Sequence, residues 1–303
     1  MGKSYMFRST DAGAPVLFAE AGGLISVLDA CLVDGYGTKA GLGWTKEYQN
    51  ATDDIAVYRM GGGTRRFVQF DHSMSWTPNT QCQAKVTAYE SMLDYETGYL
   101  PCPVSGEMYL GICNSVNSSY VIDWDIIGDD SGIYLCIGVT RNTERQVNYI
   151  GDYLPFNMDN KSNFIMSFSS FDKGSVTVNG WKSRTKNNLT VGMISSSDIY
   201  NNRGNFLITC LSGESFSGNG SYLGDTGLFN QALPFPLFTQ PFFQINNLFA
   251  GMFPGLYTPL MLVQVNDVFS DKGGGDIYFY NFRNYYASAF NFLGILAGEG
   301  FRP

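Results

Sequence analysis

The one histidine of the chain, His72, stands in Phe70-Asp71-His72-Ser73, with Ser75 close behind. Histidine near serine and aspartate is the residue set of a hydrolase relay, which needs hydroxyl, imidazole and carboxylate held in one geometry. Neighbouring residues of an extended chain point to opposite faces, so Asp71-His72-Ser73 does not itself form that relay. It reads as a polar cluster at a strand end. A zinc site would need His72 together with cysteines distant in sequence. The six cysteines, Cys31, Cys82, Cys102, Cys113, Cys136 and Cys210, include no pair at the two-residue spacing of a metal knuckle or redox motif.

Carboxylates recur on Gly-Asp dipeptides at Gly128-Asp129, Gly151-Asp152, Gly224-Asp225 and Gly275-Asp276. Two such groups across a cleft could serve as a glycosidase pair, and several together could collect calcium. Gly-Asp is also ordinary turn chemistry, since Gly supplies positive φ and Asp bonds its own backbone. No EF-hand spacing accompanies the dipeptides, so turns are the expectation. Gly61-Gly62-Gly63-Thr64-Arg65-Arg66 invites a phosphate-loop reading, but the Walker pattern requires Gly-Lys-Ser/Thr opening a helix. Here the flanks are strands. The loop reads as a hairpin turn that leaves Arg65 and Arg66 to pair with acidic groups on a neighbour. The aromatic stretches 235–253 and 278–292 could stack on sugars or bases. Without interleaved Lys or Arg they suit a core or a subunit interface better than nucleic acid. No residue is assigned to catalysis, to cofactor binding or to a metal, and no cofactor is expected.

The elements that must position these residues begin with 21–44, AGGLISVLDACLVDGYGTKAGLGW. Leu24, Leu28, Cys31 and Leu32, flanked by Ile25 and Val27, recur at helical spacing, and Gly35 or Gly37 can take the left-handed conformation that ends a helix. The expectation is a helix over 23–33, its wide apolar face covered by sheet or by another subunit. Beyond Trp44 the period becomes alternating. Residues 55–59, 67–70 and 82–88 read as strands, and the Pro101–103 corner is the candidate boundary. Residues 120–127 and 132–139 read as a hairpin with a longer turn at 128–131, followed by strands at 164–168, 175–178 and 206–210. The polar stretch 182–205 reads mostly as loop. Residues 232–255 are apolar and aromatic, but Pro234, Pro236, Pro241 and Pro254 forbid a spanning helix, so this is an extended segment packed on protein. Strands at 260–265, 277–280 and 285–293 close the chain. The fold class is therefore mainly β, antiparallel sandwich- or barrel-like sheets with one short N-terminal helix and long irregular loops. The organisation is a helix-plus-strands region, 1–103, and a β-rich region, 104–303, or one continuous domain.

Hydrophobic residues make up 44% of the 303 positions and charged residues only 15%, below the usual quarter. That balance excludes disorder and suits a chain that meets other protein surfaces. A net charge of −8 argues against a large phosphate-tracking surface. The N-terminus MGKSYMFRSTDAG lacks the apolar core of a signal peptide, and Met6 stands where a myristoylation signal wants Ser or Thr. Reduced, buried thiols are expected in a cytosol.

The order of motifs resembles a group of virion structural proteins of tailed bacteriophages. The resemblance runs through Gly13-Ala14-Pro15, the run from Leu28 through Ala30-Cys31-Leu32-Val33 to Gly35-Tyr36-Gly37, and Gly43-Trp44. It continues through Ala56-Val57-Tyr58-Arg59, Asp71, Ala88-Tyr89-Glu90-Ser91-Met92 with Asp94, and Trp124 with Ile127-Gly128-Asp129. Tyr134-Leu135, Gly151-Asp152 and Phe253-Pro254-Gly255-Leu256-Tyr257-Thr258-Pro259-Leu260 complete it. The insert at 182–224 is the least matched part, and the family's closing Gly-Pro-Trp-Arg is here Glu299-Gly300-Phe301-Arg302-Pro303. The resemblance implies a non-enzymatic particle component of tail, baseplate or neck, assembled as symmetric copies with itself and other virion proteins. An exterior receptor- or carbohydrate-binding module or a head decoration protein is the alternative. The implied location is the virion, and the host cytoplasm during assembly, with no membrane and no direct nucleic-acid contact. The resemblance brings no catalytic residues with it.

Overall fold

The computed structural model describes residues 3–73, 81–103, 106–113, 117–138, 145–155, 163–168, 182–185, 190–191, 238–239, 242–245, 248–259, 268–270, 275–283, 290–299 and 301–302. Within them the chain is mainly β, in antiparallel sheets, with one short helix. The expected strands at 175–178, 206–210 and 260–265 lie outside the described residues. So do most of 182–205 and the first part of 285–293.

Three sheets carry the architecture. The N-terminal sheet runs Thr45–Gln49, Ile55–Arg59, Phe67–Asp71, Cys82–Tyr89 and Tyr109–Cys113, each strand paired with the next. Across the Pro101–103 corner the chain returns to this sheet, because Cys102 bridges Ala88 and Tyr109–Cys113 pairs with Cys82–Tyr89. The central sheet orders Tyr5–Arg8, Trp124–Asp129, Gly132–Gly138, Arg145–Asp152, Phe164–Phe168, Lys182–Thr185 and Thr190–Val191. The C-terminal sheet orders Phe238–Thr239, Leu256–Pro259, Phe290–Gly298, Gly275–Arg283 and Val268–Ser270.

The central strands explain the layering. Trp124–Asp129 is buried at every position and Gly132–Gly138 at all but its last. A strand read without polar alternation is covered on both faces. Side chains alternate between the two faces. Trp124, Ile126, Leu135 and Ile150 join the larger core with the helix and the N-terminal sheet, whereas Ile127, Tyr134, Val147 and Tyr149 join a second core with Phe253, Leu256 and Ile295. The N-terminal segment closes on the strand Phe290–Gly298. The Ser4 amide donates to the Gly298 carbonyl at 3.0 Å, and its hydroxyl donates to the Leu296 carbonyl at 2.9 Å.

The helix occupies Gly23–Leu28 and continues as a π-helical turn over Asp29–Asp34. Gly35 ends it at φ 80°, as the glycine stop predicts; a Cβ there would overlap the Lys39 carbonyl. Leu24, Val27, Leu28, Cys31 and Leu32 are fully buried, so sheet within the same chain covers the apolar face.

Two expectations are corrected. Residues 120–127 are not one strand: Asn117–Ile122 pairs with Leu17–Ala19, and a separate strand starts at Trp124 after Asp123. The hairpin turn is also tighter than expected, since Asp129 pairs with Gly132 and leaves only Asp130-Ser131 between the strands. Of the aromatic segment 232–255, the described parts are strands at Phe238–Thr239, Phe242–Ile245 and Leu248–Met252, the last paired with Leu154–Pro155. Phe253 is buried inside this chain, edge-on to Tyr149 at 5.3 Å.

Candidate functional site

Three motifs from distant parts of the sequence converge at one end of the central sheet: the Gly61-Gly62-Gly63 loop and the Gly-Asp pairs at 128–129 and 151–152, which end the strands Trp124–Asp129 and Arg145–Asp152 instead of forming the expected turns. The loop does hold an anion, but the anion is the chain's own Asp152. The Thr64 amide donates to Asp152 Oδ2 at 2.5 Å and the Thr64 hydroxyl to Oδ1 at 2.6 Å. The Gly62 amide donates to the Asp130 carbonyl at 3.0 Å. Such an approach requires glycine: a Cβ on Gly62 would crowd the Asp130 and Ser131 side chains, and one on Gly63, at φ 56°, would overlap Asp152 Oδ2.

Arg302 closes the cluster from the far end of the chain. Its Nε donates to Asp129 Oδ2 at 2.6 Å and its Nη1 to the Asp152 carbonyl at 2.8 Å; Nη2 lies 3.3 Å from the Tyr149 hydroxyl. Tyr149 also donates to the Asp152 carbonyl at 2.6 Å, and Phe301 packs edge-on against Tyr134. Asp129 Oδ1 accepts from the Ser131 amide, and the Asp129 carbonyl accepts from the Trp44 indole. Burial pushes the Asp152 carboxyl up, and the Thr64 bonds only partly offset this. Burial works against the charge on Arg302, yet Tyr149 and Asp129 hold its guanidinium firmly protonated. Asp129 and Asp152 are 7% and 2% exposed. Carboxylates so enclosed and so bonded clamp three segments together. Asp225 lies outside the described residues, and Asp276 accepts a long bond from the Tyr278 hydroxyl.

Of the loop's two arginines, Arg65 is exposed and Arg66 departs from expectation. Arg66 turns inward and is only 4% exposed, its guanidinium 5.5 Å from the Phe164 ring and 3.9 Å from Glu90. The reason is parity: Val68 and Phe70 on the same strand face the core, and Arg66 shares their side. It is not a surface cation reaching for a neighbour.

His72 is buried completely. Its Nδ1 accepts the Leu24 amide at 3.2 Å, and Nε2 lies 3.2 Å from Cys82 Sγ. The residue before the helix, Gly22, offers no side-chain cap, so His72 supplies from 48 positions away the acceptor that an N-terminal Ser or Asp would provide. With Nδ1 accepting, the ring is neutral and carries its proton on Nε2. Burial lowers its pKa to about 4, against a smaller opposing effect of Asp54. Ser73 bonds through its amide to Asp71, and Ser75 lies outside the described residues. No group of three His, Cys, Asp or Glu able to hold a metal occurs among the described residues.

A third cluster fixes the N-terminal strand. Asp11 Oδ2 accepts from Lys39 Nζ at 2.5 Å and from the Tyr36 hydroxyl at 2.8 Å, while Lys39 also donates to the Met6 carbonyl. Burial raises the Asp11 carboxyl, but Lys39, Tyr36 and the Arg8 amide together bring it below its ordinary range. Sequence reasoning missed this cluster and Arg302; the one visible signal was that Tyr36 and Lys39 follow the helix stop.

The surface shows a different chemistry. On the hairpin formed by Ser91–Met92 and Gly98–Tyr99, Leu93 is 80% and Tyr99 65% exposed. No helix among the described residues is long and apolar enough to cross a membrane. No protein-family model matches the chain, and no curated protein matches it.

Proposed function

We propose that this chain is a non-enzymatic structural component of a tailed-phage particle, of tail, baseplate or neck, built in as several symmetric copies. The observation that carries the reading is that the groups best suited to chemistry serve the fold. His72 caps the helix, and Asp129 and Asp152 clamp the loop and the chain end. The motif order described above supports the phage setting. A rigid stack of sheets with exposed Leu93, Tyr99 and Leu100 on one hairpin suits a part that transmits force through contacts with neighbours. Quantitative mass spectrometry of purified particles tests it, with a fixed copy number expected. A monodisperse monomer absent from particles refutes it. The exposed Tyr99 favours one second reading, an exterior carbohydrate-binding module; specific hits on a glycan array, lost in Tyr99→Ala, are its expected outcome.

A further inference from the structure

Cys82 and Cys113 are partners across adjacent antiparallel strands of the N-terminal sheet. Strict alternation from Leu110 and Ile112, which face the core, would send Cys113 to the opposite face. The register slips between Cys82 and Gln83, and this bulge brings Cys113 into the same packed cluster as Cys82 and Ile112. Cross-strand partners have Cα atoms about 4.5–5.5 Å apart, inside the roughly 4.4–6.8 Å that a disulfide spans. Across their own ladders Cys102 faces Ala88 and Cys136 faces Asp125 and Val147, and Cys31 lies on the helix.

We propose that Cys82 and Cys113 form a modification site, a dithiol that a low-molecular-weight disulfide closes to a cross-strand disulfide without unfolding. Cys113, 6% exposed where Cys82 is fully buried, reacts first. Its thiolate attacks the small disulfide, gives a mixed disulfide and releases one small thiol. The Cys82 thiolate then displaces the second small thiolate as the protein disulfide forms, and each departing small thiolate takes up the proton that one cysteine gives up. His72, with its Nε2–H 3.2 Å from Cys82 Sγ, donates toward the sulfur, against the burial and the neighbouring Cys113 that push this thiol up. The bulge therefore acts as a redox-dependent lock, open in a reducing compartment and closed in an oxidising one. The proposal does not depend on the virion reading.

The test treats the reduced full chain with oxidised glutathione under native conditions, alkylates the remaining thiols and maps peptides without reduction. The expected result is a single Cys82–Cys113 linkage two hydrogens lighter, with a Tm higher by roughly 5–10 °C that dithiothreitol reverses. Cys113→Ser shows neither change. Absence of that linkage in the native wild-type chain, or linkage of Cys82 to another cysteine, overturns the proposal.

Discussion

His72 makes the stability of this protein depend on pH in a calculable way. Its folded pKa is about 4 against an ordinary 6.5. The neutral ring is the one that accepts the Leu24 amide, so the contribution is complete above the unfolded pKa and is lost as pH falls toward the folded one. The gap corresponds to about 3 kcal/mol over the whole range, of which roughly 2 kcal/mol disappears between pH 7 and 5. The chain has one histidine, so no other imidazole contributes. Asp152, its carboxyl raised by burial, acts with opposite sign, favouring the fold as pH falls through its folded pKa. A comparison variant removes this background. In His72→Asn the amide oxygen can still accept from Leu24, the Cys82 contact is lost, and nothing at that position titrates. Urea unfolding followed by fluorescence of the buried Trp44 and Trp124 across pH 7 to 5 supplies the free energies. The expected outcome is a variant less stable at pH 7 whose deficit narrows by roughly 2 kcal/mol at pH 5. Parallel curves for the two proteins would show that the ring is not held neutral, and the capping argument would fall.

Gly63→Ala should destabilise by about 2 kcal/mol or more, because the new methyl overlaps Asp152 Oδ2 at a backbone of φ 56°; Gly106→Ala, with positive φ but open space, should lose only about 1. Chemical denaturation of the two variants compares these directly. Arg302→Gln leaves Asp129 buried beside a neutral side chain and should lose about 3 kcal/mol, little changed by added salt because the pair is largely enclosed; melts at low and high salt check both statements. Leu28→Asp places a carboxylate at a fully buried helix position and should abolish soluble folded protein, whereas Cys31→Ala should lose about 1 kcal/mol. Soluble expression with circular dichroism separates these two outcomes.

Local signals along the chain were enough for the mainly β class, the helix with its glycine stop, and several strands at or near their observed limits, Ile55–Arg59 and Phe164–Phe168 among them. These are properties of neighbours: side-chain period, positive φ at glycine, loss of a donor at proline. That Trp124–Asp129 and Gly132–Gly138 are covered on both faces emerged only from the stacking of the sheets. What local pattern misjudged was where pairing changes hands. Residues 120–127 are apolar enough for one strand, yet Asn117–Ile122 and Trp124–Asp129 belong to different sheets because their partners differ. The functional groupings were settled by distance in sequence. Gly-Asp suggested turns, yet the three described pairs sit at strand ends, and that Asp152 would face Thr64, 88 positions away, and Asp129 would face Arg302, 173 away, depends on how three sheets stack. The same holds for His72. Its neighbours Asp71 and Ser73 suggested chemistry along the chain, whereas its bonds run across the fold to Leu24 and Cys82. A side chain's type is local, but the group it meets is chosen by packing.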